Sequence, residues 1–113
     1  MSGNGLLLLL SGPNLDLLGE REPAVYGHET LADHVAAARA AAETAGYELE
    51  HLQSNHEGDL IEAIHGARGR TVAIVINAGA LTHTSWALHD ALAAYLERRA
   101  LATAAQETVS NDA

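Results

Sequence analysis

The chain has 113 residues, no cysteine and no lysine, and a formal net charge of -9 from 15 acidic side chains against 6 basic ones. That length supports one domain with one core, and the absence of cysteine excludes disulfides and thiolate metal sites, which suits a reducing, cytoplasmic compartment. So acidic a surface repels phosphate backbones and argues against nucleic-acid binding.

The first element is the run Leu6–Leu10, stopped by Ser11-Gly12-Pro13. It is too short for a signal peptide or a membrane span, and its length and abrupt stop predict a buried strand. Thr30 and Asp33 have the spacing of a capping box, so a helix is expected over the Ala-rich stretch 31–45, with Gly46 as its stop. Residues 47–53 alternate apolar and polar side chains and read as a second strand. Leu60, Ile61, Ile64 and Ala67 make one face of a second helix closed by Gly69. Residues 71–76 are apolar on both faces, the composition of a central strand. A third helix is expected from Ser85 to about Arg99, with Ala87, Leu88, Ala91, Leu92 and Tyr95 turned inward. Beyond Leu101 the chain has no strand signal and reads as a frayed polar tail, so the domain is placed at 1–102 and the tail at 103–113. The alternation of strand and helix predicts an α/β fold around a parallel sheet with right-handed crossovers.

Sheets of this kind bind ligands beyond the carboxyl ends of their strands. Here each strand runs into a polar cluster: Ser11-Gly12-Pro13-Asn14, then Ser54-Asn55-His56-Glu57, then Asn77 to Thr84. Each alone is ordinary turn and capping chemistry. Together on one rim they supply amides, hydroxyls and imidazoles suited to a polyhydroxylated small molecule. The first connection, residues 11–29, is long enough to be a lid and carries Arg21 and Tyr26. Tyr26 reads either as a surface aromatic or as a base whose phenolate a nearby guanidinium favours; Arg21 reads either as a solvated charge or as that activator. With no lysine there is no Walker A motif and no Schiff base, and neither a dinucleotide fingerprint nor a nucleophile elbow is present. His83 and His89 have no metal-ligand spacing and read as cap and surface residues.

Ser-Gly-Pro-Asn-Leu-Asp-Leu-Leu-Gly-Glu-Arg-Glu-Pro (11–23), Val-Tyr-Gly (25–27), Gln-Ser-Asn-His-Glu-Gly (53–58), Ile-Asn-Ala-Gly-Ala-Leu-Thr-His-Thr-Ser (76–85) and Ala-Leu-His-Asp-Ala-Leu (87–92) resemble type II 3-dehydroquinate dehydratase, in order and with matching spacing. The resemblance implies a flavodoxin-like three-layer sandwich with strand order 2-1-3. It implies a lyase that dehydrates 3-dehydroquinate to 3-dehydroshikimate without metal or cofactor, in the shikimate pathway leading to chorismate and the aromatic amino acids, or in quinate catabolism. It also implies a cytoplasmic homo-oligomer, a dodecamer in the family, with no membrane partner. By position, Tyr26 would be the base, Arg21 its activator, and Asn14 the holder of a water at the enolate oxygen. Asn77 and His83 would bind substrate hydroxyls, and Asp90 would reach a neighbouring subunit's site.

Ser11, Asp16 and Ala78 are mild departures from that pattern. After Tyr95 the difference is larger: the family continues into a histidine-bearing strand, an arginine, a last strand and a helix, whereas this chain reads Leu-Glu-Arg-Arg-Ala-Leu. The resemblance therefore implies a C-terminally truncated or altered member that lacks the family's general-acid histidine, its carboxylate-binding arginine and its later strands. Three readings stay open on the sequence: a dehydratase, a catalytically impaired relative with a weak polyol site, or an assembly subunit. The strand at 72–76 is expected to be left with an open edge that templates association.

Overall fold

Three parallel strands organise the chain: β1 (Leu6–Ser11), β2 (Glu48–Gln53) and β3 (Ala73–Asn77), in the order β2-β1-β3. The computed structural model describes residues 3–21 and 23–112, with the backbone alone for Tyr26 and residues 103–112. Four helices are α1 (Pro23–Tyr26), α2 (Leu31–Thr44), α3 (Glu57–Ala67) and α4 (Trp86–Asp112).

The leucine run lies in the middle of the sheet because both of its edges are paired. Leu10 stands opposite Leu52 on one side and Ile76 on the other. Alternate side chains face opposite layers. Leu8 and Leu10 point into a core closed by Leu60, Ile64 and Ala67 of α3 and by Leu88, Ala91 and Tyr95 of α4. The other face carries α2, packed chiefly along β2, which gives three layers. Each fully buried leucine or isoleucine here contributes roughly 1.5–3 kcal/mol.

The helix ends follow local chemistry. At the start of α2 the Thr30 amide donates to Asp33 Oδ2 at 2.9 Å, and the Asp33 amide donates to Thr30 Oγ1 at 3.2 Å. The Thr30 amide, and after it the Thr30 hydroxyl, holds the Asp33 carboxyl below its ordinary range. At the other end Gly46 takes a φ of 89°, Tyr47 N–H reaches the Ala42 carbonyl at 2.8 Å, and Gly46 N–H reaches Glu43 at 3.0 Å. That pairing is a Schellman stop, and it turns the chain directly into β2. At α4, buried Ser85 accepts the Leu88 amide at 2.9 Å and fixes the rotational phase of the helix.

Some expectations are corrected. Composition suggests a central place for β3, but among the described residues it is an edge strand, as β2 is; its outer edge is open, as expected, and Val75 is 55% exposed. Ala87 is exposed rather than inward, because the phase set by Ser85 turns Leu88, Ala91 and Tyr95 to the core. The helix expected to end near Arg99 continues to Asp112. The start of its added stretch, residues 100–107, holds four alanines with Leu101, Gln106 and Glu107, all good helix formers, which favours carrying the helix on past Arg99. The long first connection is not featureless either: it contains a 3-10 turn at Leu15–Leu17 and the short α1.

Candidate active site

All three strands end at one level, so Ser11, Gln53 and Asn77 lie side by side in a single row. The turns after them are pressed together at this rim. Gly12 N–H donates to the Asn77 carbonyl at 2.8 Å, and Ser54 N–H donates to the Ser11 carbonyl at 3.0 Å. A Cβ on Gly12 would lie 2.5 Å from the Ala78 carbonyl oxygen, so only glycine permits this approach of the β1 and β3 turns. Gly79 enters a second 3-10 turn, Gly79–Thr82, with a φ of 59°.

Asn14 is the one non-glycine residue with positive φ, 68°, among those described. Its amide donates to Asn55 Oδ1 at 2.9 Å. Gln53 Nε2 donates to the Gly12 carbonyl and to Asn55 Oδ1, both at 3.2 Å. Beneath this layer, buried Ser11 Oγ lies 2.9 Å from His51 Nε2. Burial, reinforced by the Arg39 charge, lowers the pKa of that imidazole below 6.5. Ser54 Oγ, also buried, donates to Asp59 Oδ2 at 2.7 Å, which ties the second turn to α3.

The first turn opens a cleft of about 360 Å³ whose polar walls are Asn14 and Arg21, backed by Leu15, Leu17, Leu18 and Ala80. Among the described residues that line it there is no carboxylate, and Arg21 is the one cation. In a chain of net charge -9, this is a local site for an anion or a developing negative charge. Of the six residues expected to form the site, the structure thus brings Asn14 and Arg21 together. Asn77 stands at the end of the strand row, and its Oδ1 accepts the Gly79 amide at 3.1 Å. His83 lines a separate cleft of about 250 Å³ with Thr82, Ser85, Trp86 and His89. Asp90 is exposed on α4 and lines neither cleft. Tyr26 ends α1, and the expected pairing of its phenol with Arg21 lies outside the described side chains. His89 Nε2 is 3.2 Å from the Thr82 carbonyl, a surface contact at the base of α4.

Gln53 and Asn55 are the polar residues whose part in this rim is not evident from sequence. Gln53 reads only as the end of a strand and Asn55 only as a turn former, but their partners lie 41 positions away and meet only through the β1–β2 register.

The dehydroquinase class II family model matches residues 5–100 of the chain. The 3-dehydroquinate dehydratase of Corynebacterium glutamicum (strain R) is 61% identical over 90 residues, covering 80% of this chain and 62% of that protein. The 3-dehydroquinate dehydratase 2 of Pseudomonas putida is 60% identical over 89 residues, covering 79% and 60%. Among solved structures, the type II dehydroquinase from Butyrivibrio crossotus DSM 2876 superposes with a TM-score of 0.76 at 42% identity, covering 80% of this chain and 63% of that one. The chain spans about three-fifths of the length of the curated relatives it matches.

Proposed function

Because the chain belongs to the dehydroquinase class II family, we propose that it performs the dehydration of 3-dehydroquinate to 3-dehydroshikimate, with Asn14 and Arg21 at the reacting end of the substrate. The observation that carries this reading is the cleft that the Arg21 guanidinium and the Asn14 carboxamide share. An enolate is the anion that such walls suit.

In this mechanism the Tyr26 phenolate removes a proton from the carbon next to the ketone, and the electron pair moves onto the ketone oxygen. The Arg21 guanidinium keeps the phenol ionised and stabilises the enolate. Asn14 holds a water against the enolate oxygen. The enolate then collapses and expels the hydroxyl, which takes up a proton from solvent and leaves as water, giving the enone. Asn77 and His83 hold ring hydroxyls. Asp90, exposed on α4, serves a neighbouring subunit's site in a cytoplasmic homo-oligomer. No metal or cofactor enters these steps, and the catalytic domain is assigned to residues 1–102.

The test is to mix the purified chain with 3-dehydroquinate, follow enone absorbance, and record exchange of the α-proton with solvent deuterium by NMR. Tyr26→Phe should reduce that exchange by about 10²–10⁴-fold, the usual contribution of a positioned base. Arg21→Ala should move the pH dependence upward, since a lost positive charge destabilises the phenolate. Wild-type protein with neither exchange nor turnover would remove the proposal, as would exchange that persists unchanged in Tyr26→Phe.

A further inference from the structure

Asn14 holds a left-handed backbone conformation, φ 68°, that is uncommon for residues other than glycine, although asparagine tolerates it better than most. Pro13, just before it, has no N–H to donate. Besides the turn's own bonds, from Leu15 N–H to the Gly12 carbonyl and from Leu17 N–H to the Asn14 carbonyl, Asn14 lies in a closed ring of hydrogen bonds: Gln53 Nε2 donates to the Gly12 carbonyl and to Asn55 Oδ1, and Asn55 Oδ1 accepts the Asn14 amide. The stoichiometry is complete. The Gln53 carboxamide spends its two hydrogens on two oxygens, and the Asn55 oxygen spends its two lone pairs on two donors. The ring therefore grips the chain on both sides of Pro13. β2 can deliver it because Gln53 stands opposite Ser11, immediately before Gly12. Neither Gln53 nor Asn55 lines the Asn14–Arg21 cleft, so neither is placed to touch a ligand there.

We propose that Gln53 and Asn55 are positioning residues that hold Asn14 in its left-handed conformation and so aim its side chain at the reacting end of the cleft. The catalytic half of this proposal rests on the dehydratase reading; the conformational half does not. Asn55→Ala removes the acceptor, whereas Asn55→Asp keeps an oxygen with both lone pairs in place. Asn55 is exposed, so the fold itself does not depend on it.

The experiment measures two things on the full chain and on each variant: hydrogen exchange of the Asn14 amide by NMR, and kcat and KM with 3-dehydroquinate. Loss of one such bond corresponds to a change of about tenfold. In Asn55→Ala the Asn14 amide should exchange about tenfold faster, and kcat should fall by about as much while KM moves little, because the water held by Asn14 matters most in the transition state. Asn55→Asp should restore both. Gln53→Glu, which sets a carboxylate against two acceptor oxygens, should behave like Asn55→Ala. Unchanged exchange in Asn55→Ala, or an Asn55→Asp variant as impaired as the alanine, would overturn the clamp. If the wild type lacks turnover, the dehydratase reading fails, and the exchange data alone uphold or overturn the clamp.

Discussion

A single methyl group at position 12 probes how the rim is assembled. Gly12 does not need positive φ, so Gly12→Ala introduces no backbone strain of its own. The effect is steric: the new Cβ would lie 2.5 Å from the Ala78 carbonyl oxygen, 2.7 Å from its carbon and 3.1 Å from its Cα. An ordinary carbon–oxygen contact is about 3.3 Å or longer, so the overlap is roughly 0.8 Å and falls on backbone, which cannot rotate away. Relief requires the β1 and β3 turns to part, which stretches the 2.8 Å bond from Gly12 N–H to the Asn77 carbonyl. Overpacking of this kind costs about 1–3 kcal/mol, and the rigid neighbour places this case near about 3. The comparison variant is Gly66→Ala in α3, where a Cβ meets nothing within 4 Å and helix propensity should add about 0.5–1 kcal/mol. Urea unfolding of the two variants beside wild type should move the midpoints in opposite directions at constant slope. A Gly12→Ala protein within about 0.5 kcal/mol of wild type would refute the account of the two turns as jammed together.

Other expectations concern the core, the pH response and the sheet edge. Tyr95 OH lies 2.9 Å from Thr71 Oγ1 and 3.2 Å from the Thr71 carbonyl, all of it buried, so Tyr95→Phe should cost about 1–2 kcal/mol in the same urea assay. His51 resists protonation in the folded state, so the unfolded chain takes up that proton first as pH falls below about 6.5. Stability should therefore decline from neutral pH toward 5, and His51→Gln should flatten that limb; an unaltered pH profile would exclude His51 as its source. The uncharged edge strand β3, with Val75 exposed, should make the 113-residue chain self-associate, and sedimentation of Val75→Lys should shift it toward monomer. A dilute wild-type monomer with strongly protected amides across residues 73–77 would contradict this.

The features that sequence made legible are those governed by neighbours in the chain. Thr30 with Asp33, and Gly46 after an alanine-rich helix, act through local hydrogen bonds and local φ, so their spacing alone discloses them. The leucine run and its Gly-Pro stop likewise mark β1. The features that stayed hidden depend on placement. Ala87 carries too little side chain to signal its direction, and its exposure follows from where Ser85 caps the helix. Composition gives β3 the look of an interior strand, because apolar content reports burial of faces and not pairing of edges; its open edge is expected from the order of the elements instead. Spacing alone does not join Arg21 to Asn14, which the resemblance places in one site; they meet as the first connection coils through its 3-10 turn. That connection did hold one readable sign: Pro23 is a favoured first residue of a helix, and α1 begins there.

The position of β1 between its two partners also bears on how the chain reaches its fold. Leu6 must wait for Glu48 and Leu7 for Ala73, and β2 and β3 never pair with each other. No hairpin exists among the described strands to form early and seed the rest. Every sheet contact closes a long loop before it is rewarded, which slows two-state folding. Meanwhile five consecutive leucines, uncharged and without a proline to interrupt them, stay available to other chains. During synthesis that segment remains unpaired until the sequence through Gln53, and then through Asn77, has followed it. The central strand of the finished sheet is thus an aggregation-prone stretch of the nascent one, exposed before any substrate site exists.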